Sequence, residues 1–274
     1  STSGQLGEFG ANGEIRGSGD VLVERYVPQS NRAFRYISSP VNTTGTINDN
    51  LQEGFNNTDP NNNPNDISDF GTHITGSTDG SNGFDATSTG NTSMFEWDEA
   101  NQEWDEIPST NQPGDEMAVG DAYALMVRGD RTTTLNSNTA VGPATTLRFT
   151  GTLEVGDQAV AASDLSSNSG DYNLVANPYQ AIVDMKTLLQ GADATDLDDQ
   201  TIYVYDPTLG TQGGYAAIDI SMGTPTATPE ADSLNTFTTD ANQFILPNQA
   251  FFIETTGTNP SLTFKETYKD IAAD

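Results

Sequence analysis

Tyr172-Asn173-Leu174-Val175-Ala176-Asn177-Pro178-Tyr179 reads as a strand that ends abruptly. Tyr172, Leu174 and Ala176 fall on one face and Val175 on the other, the period-2 pattern of extended chain. Pro178 fixes φ and removes a donor, and it pushes Asn177 out of the helical region. Phe34-Arg35-Tyr36-Ile37-Ser38-Ser39-Pro40-Val41 has the same plan: alternating aromatic and aliphatic residues, two small residues, proline, then an apolar residue.

The segments after each stretch also correspond, and such repetition decides a fold. A capped turn at Asn48 matches one at Asp184. Met94-Phe95-Glu96-Trp97-Asp98 matches Ile202-Tyr203-Val204-Tyr205-Asp206, and Trp104 matches Tyr215 on the return strand of each hairpin. Gly120–Leu125 matches Asn248–Ile253, and each copy closes with one strand, Thr145–Phe149 or Ser261–Lys265. The expectation is an all-β protein of two similar antiparallel, jelly-roll-like β-sandwich units with only two short helices, Asn48–Glu53 and Asp184–Gln190. The first unit spans 1–144, with an Asn-rich surface loop over 52–92. The second spans 145–274, with a Thr/Pro-rich loop over 221–240. An opening strand at one end and a leftover closing strand at the other would suit head-to-tail strand addition between chains.

Composition narrows the function. Among 274 residues, 39 are Asp or Glu and 10 are Lys or Arg, a net charge of −29. Nucleic acid and anionic membranes both need a positive surface, so neither is an expected partner. No apolar run is long enough to span a bilayer, so no membrane insertion is expected. Self-repulsion of this size favours a saline, extracellular or cell-surface setting, or else serves only solubility. The absence of cysteine removes disulfides, thiolate nucleophiles and Cys metal sites. The chain starts at Ser1 without Met, and the expectation is a processed product or an excerpt.

Six stretches then carry a family likeness in order: Val23–Pro28, Arg32–Val41, Gly71-Thr72-His73-Ile74-Thr75-Gly76-Ser77, Val127–Arg131, Val175–Tyr179 and Pro247–Phe252. Together they resemble the region of large secreted Bacteroidetes surface proteins that precedes the C-terminal sorting domain of type IX secretion. That family usually has Gly where Ala176 and Asn248 stand; Asn tolerates the left-handed conformation that Gly supplies. The resemblance implies export and an adhesive or structural context, and no activity for this region.

The residues that bear chemistry point the same way. His73 is the one histidine, with no G-x-S-x-G elbow and no second His to share a metal, so it reads as structural. Carboxylate pairs for glycoside hydrolysis lack an apolar frame in the sequence. Asp59, Asn61, Asn63, Asp66 and Asp69 place oxygens at alternating positions suited to calcium, the single cofactor expectation, although Pro64 and Phe70 break the EF-hand pattern. A second Asp-rich stretch runs from Asp193 to Asp199. Arg128-Gly129-Asp130 is an integrin-type tripeptide, more simply a turn at a strand end. Phe95, Trp97 and Trp104 are either core or a platform for polysaccharide. The chain is therefore expected to be non-enzymatic: a structural or adhesion protein, with a self-assembling filament subunit as one form of it and a carbohydrate-binding module as the alternative.

Overall fold

Tyr172–Ala176 forms a strand and pairs antiparallel with Ala250–Glu254, in register from Tyr172↔Glu254 to Ala176↔Ala250. Past its end, Asn177 Oδ1 accepts from Tyr179 N at 2.9 Å, and its amide donates to Ala181 O and Ile245 O. The stop is thus made by asparagine as much as by proline. The computed structural model describes residues 4–9, 15–30, 32–61, 68–136, 141–221, 226–229 and 239–272. It is an all-β fold of several, mostly antiparallel sheets with two five-residue α-helices, Ile47–Leu51 and Met185–Leu189.

Two sheets form the centre. One runs Ala33–Ser38, Ala122–Val127, Met94–Asp98, Glu103–Glu106; the other runs Tyr172–Ala176, Ala250–Glu254, Thr201–Asp206, Gly214–Asp219, Thr226–Pro229. The first four strands of each share one order: the strand leading to the proline, a late strand, then a hairpin. Within them, Ala122–Val127 and Ala250–Glu254 are buried on both faces, which is why these strands are so rich in apolar residues. Ile37, Tyr123, Leu125 and Met94 point outward onto the helix Ile47–Leu51 and onto Val23, Leu147 and Phe149 of an outer sheet. Val175, Phe251, Ile253 and Ile202 point the opposite way, onto the helix Met185–Leu189, Leu262 and Phe264. The remaining faces meet each other. Tyr36, Ala124, Leu174, Ala176 and Phe252 are buried there, with Trp97, Trp104, Tyr203 and Tyr215 packed around them.

Three expectations need correction. Thr145–Thr152 pairs over seven residues with Val21–Val27 and contributes Leu147 and Phe149 to the first core. The first half therefore extends past residue 144, to the end of this strand. The closing strand Ser261–Phe264 is not left over: it pairs with Gln158–Ala159 on one side and Ala194–Thr195 on the other. At the start of the chain, Leu6 N donates to Gln180 O at 2.7 Å and Phe9 N to Glu266 Oε2 at 3.1 Å, so this segment lies on the second half.

The Asn-rich loop is not all surface. Ile74, Thr75 and Asp85 are fully buried, and Thr75–Ser77 and Asp85–Ala86 form a small parallel pair. Here side-chain amides supply backbone partners that apolar residues would not: Asn56 donates to Gly80 O and Phe84 O, and Asn48 to Gly83 O. Of the Thr/Pro-rich loop, 222–225 and 230–238 lie outside the described residues. The first helix starts earlier than Asn48: Thr46 caps it, with Asp49 N donating to Thr46 Oγ1 and Thr46 N to Asp49 Oδ2. Asn248 has φ 62°, a left-handed conformation that Asn tolerates.

Candidate functional site

The candidate site lies where the two central sheets face each other. Tyr36 is the hub: its ring centroid is 5.3 Å from Trp104, 5.1 Å from Tyr205 and 5.5 Å from Phe252, and its hydroxyl shares a hydrogen bond with Tyr215. Burial, then the contact with Tyr215, pushes the Tyr36 phenol far above its usual range. Trp97 stands edge-on to Trp104 at 5.1 Å and to Phe252 at 5.0 Å. These geometries let ring edges meet ring faces, each worth roughly 0.5–1.5 kcal/mol beyond area burial. Side-chain bonds to the Tyr172 backbone fix the hairpin to the other half. Trp97 Nε1 donates to Tyr172 O at 2.9 Å; Gln102 Nε2 donates to the same oxygen at 2.9 Å and its Oε1 accepts from Tyr172 N at 2.6 Å.

The rings do not fill this space. A cavity of about 710 Å³ remains, lined chiefly by Trp97, Trp104, Tyr172, Tyr203, Tyr215 and Phe252. Trp97 and Trp104 are partly buried, so these residues are both core and cavity wall. They are paired across the hairpin and so share one face; which sheet that face meets is not written in their spacing. Phe95 lies apart from the cavity lining, edge-on to Phe34 at 5.9 Å. Beyond the hairpin, the Glu103–Glu106 strand is an open sheet edge, with Glu103, Asp105 and Glu106 exposed. Glu99, in the hairpin turn, has its carboxyl pushed up to about 7, by burial first and by the Asp164 and Asp98 charges after it.

The other candidates are structural. His73 is fully buried with Nδ1 3.1 Å from Asp85 Oδ2. Asp85 also receives Arg131 through both oxygens at 3.0 and 3.1 Å, Gln52 Nε2 at 3.2 Å, and the amides of Asn57 and Ile74 at 2.7 and 3.1 Å. Donors from distant stretches of chain thus converge on one carboxylate. Burial alone would raise its pKa; the contacts with His73 and Arg131 outweigh that and hold it at about 2. In the tripeptide, Arg128 and Asp130 are buried: Arg128 meets Thr75 Oγ1 at 3.3 Å, and Asp130 Oδ1 accepts from Thr132 N and Oγ1. It is a strand-end turn with no face to offer a receptor.

Of the calcium candidates, Asn63 and Asp66 lie outside the described residues. Asp59 Oδ1 accepts from Asn61 N at 2.8 Å and Asn61 Nδ2 at 3.3 Å, closing a turn; Asp69 is placed in a bend beyond the gap. In the second acidic stretch, Asp193 pairs with Lys265 at 2.6 Å and Asp196 Oδ2 accepts from Thr258 N and Asn259 N. Among the described residues, no group of three or more His, Asp or Glu is placed to hold a metal ion. Among them, too, no helix is long and apolar enough to cross a membrane.

The molecule is thus an all-β protein whose two halves join through an aromatic cleft. Residues 11–273 match the protein family described as a domain of unknown function, DUF8693, and the chain belongs to that family. No curated protein and no solved structure matches the chain.

Proposed function

We propose that the protein is a non-enzymatic, extracellular or cell-surface adhesion module that binds polysaccharide in the cleft between its central sheets. The observation that supports this is the cavity walled by two tryptophans and three tyrosines. Ring faces stack on the C–H faces of sugars, and tyrosine hydroxyls supply polar tips at the same place. The resemblance to exported surface proteins and the acidic, cysteine-free composition agree with that setting. Because the walls carry no cation and the protein is strongly acidic, this cleft suits a neutral glycan.

The test is tryptophan fluorescence titrated with cellohexaose, xylohexaose and laminarihexaose. One of them is expected to shift the emission, and Trp104→Ala to weaken that binding about tenfold, the equivalent of roughly 1.4 kcal/mol. No shift with any of the three would overturn the reading. A self-assembling filament subunit is the other reading. Strand addition through Ser261–Phe264 would first have to free it from two partners, whereas the Glu103–Glu106 and Thr226–Pro229 edges are open.

A further inference from the structure

A second cavity, of about 680 Å³, lies on another side of the junction. Two arginines line it, and their positions break the strand pattern. Arg25 sits between Val23 and Val27, both buried, on the core-facing side of its strand. Arg35 shares the face of Ile37, which belongs to the same core. Facing sheets thus thrust two guanidinium groups into one layer, at positions where period 2 calls for aliphatic residues.

Among the described residues, neither arginine is paired with an anion. Arg35 donates through Nη2 to Ser30 Oγ at 2.7 Å, while its Nη1 is buried without a partner. Arg25 takes part in none of the ion pairs, side-chain hydrogen bonds or ring contacts among the described residues. The two are close enough to repel: after burial, the Arg25 charge is the second cause that lowers the Arg35 pKa, to about 10, and burial lowers that of Arg25 as well. In a chain with 39 acidic residues, two inward-pointing cations without a carboxylate are costly unless something else supplies the charge. The acids that line the cavity do not supply it. Asp206 accepts from Thr208 N and Oγ1 and from Thr239 Oγ1, and Asp240 is exposed at the rim. Phe244 and Tyr205 add ring surface, and Gln249 spends its Oε1 on Leu246 N, leaving its amide donors to the cavity.

We propose that Arg25 and Arg35 form an anion site that takes the carboxylate of an organic ligand, an acidic sugar such as a uronate fitting the mixture of rings, amides and paired guanidinium groups. The site is separate from the aromatic cleft and does not depend on a glycan binding there.

Calorimetric titration of the full chain with galacturonic acid, trigalacturonate and, as the neutral control, maltotriose tests it. Galacturonate in either form is expected to bind and maltotriose not; binding of the trimer alone would place the recognition in the polymer, binding of both in the carboxylate. Arg35→Gln and Arg25→Gln are each expected to weaken that binding at least tenfold, and Arg35→Lys to restore part of it. A merely structural pair would behave differently. Its removal would lower the ligand-free melting temperature, whereas here Arg25→Gln is expected to leave it unchanged or raise it, by relieving repulsion. Undetectable binding of both galacturonates, or binding unchanged in Arg25→Gln and Arg35→Gln, would overturn the proposal. The two cavities share no lining residue, so Arg25→Gln and Arg35→Gln read this site and Trp104→Ala the other.

Discussion

Asp85→Ala is expected to unfold the first half, at a cost of about 3–5 kcal/mol, the range found when one partner of a buried ion pair is removed. Arg131 and His73 are fully buried, and Asp85 is the carboxylate that both face. Without it, the Arg131 guanidinium keeps Thr72 O at 3.1 Å but loses both contacts with the Asp85 carboxylate, and the amides of Asn57 and Ile74 lose their acceptor. Arg128 suffers as well, since the Asp85 charge favours its protonated form against burial and the nearby Arg32. Urea unfolding monitored by circular dichroism would measure the loss; a change below about 1 kcal/mol would show that the cluster is not what holds this region.

The same carboxylate sets an acid limit. Its folded pKa of about 2 lies below the ordinary value of 3.8, so the folded state binds its proton less readily than the unfolded one. The stability Asp85 contributes is then complete above about pH 4 and is lost as pH falls toward 2. Asp85→Asn should flatten that part of the stability profile while lowering stability at neutral pH.

Phe252→Ala carries the second large effect. Phe252 is buried and its ring meets Tyr36, Trp97, Trp104 and Tyr215. Truncating a buried phenylalanine costs about 3–5 kcal/mol. Here the loss falls on the junction, because Tyr36, Trp97 and Trp104 come from one half and Phe252 and Tyr215 from the other. Calorimetry is expected to show one cooperative transition in the natural chain and two in the variant. A single transition at unchanged temperature in the variant would mean that the halves are held together elsewhere. Tyr36 provides a milder comparison: Tyr36→Phe removes the hydroxyl shared with Tyr215 and keeps the ring.

Much of this architecture is legible in the sequence because each strand is written locally. Alternation marks Tyr172–Ala176 and Thr201–Asp206, a short unbroken apolar run marks Ala250–Glu254, and Gly, Asn and Pro mark where such segments stop. The start of the second helix is equally plain, with Asp184 Oδ1 accepting from Lys186 N at 3.1 Å. The partners that the strands bury are less legible. Alternation gives two faces but does not say which sheet each face meets, so Trp97 and Trp104 read as core or as platform. The Asp85 cluster is assembled from Gln52, His73, Asp85 and Arg131, residues far apart in the chain with no shared periodicity. A loop dense in Asn and Gly looks solvated because polar residues usually are; this one turns inward by satisfying its own backbone. Arg25 and Arg35 leave a fainter signal, a charge in the register of valine and isoleucine, which only the three-dimensional neighbourhood makes conspicuous.

The face-to-face rings of the central sheets have a consequence for how such a chain can be inherited. A half carried alone into another gene would bring a greasy wall of tyrosine, tryptophan and phenylalanine into water. Separating the halves would leave both aromatic walls in water, so they are expected to be inherited in tandem, however alike their strand orders are.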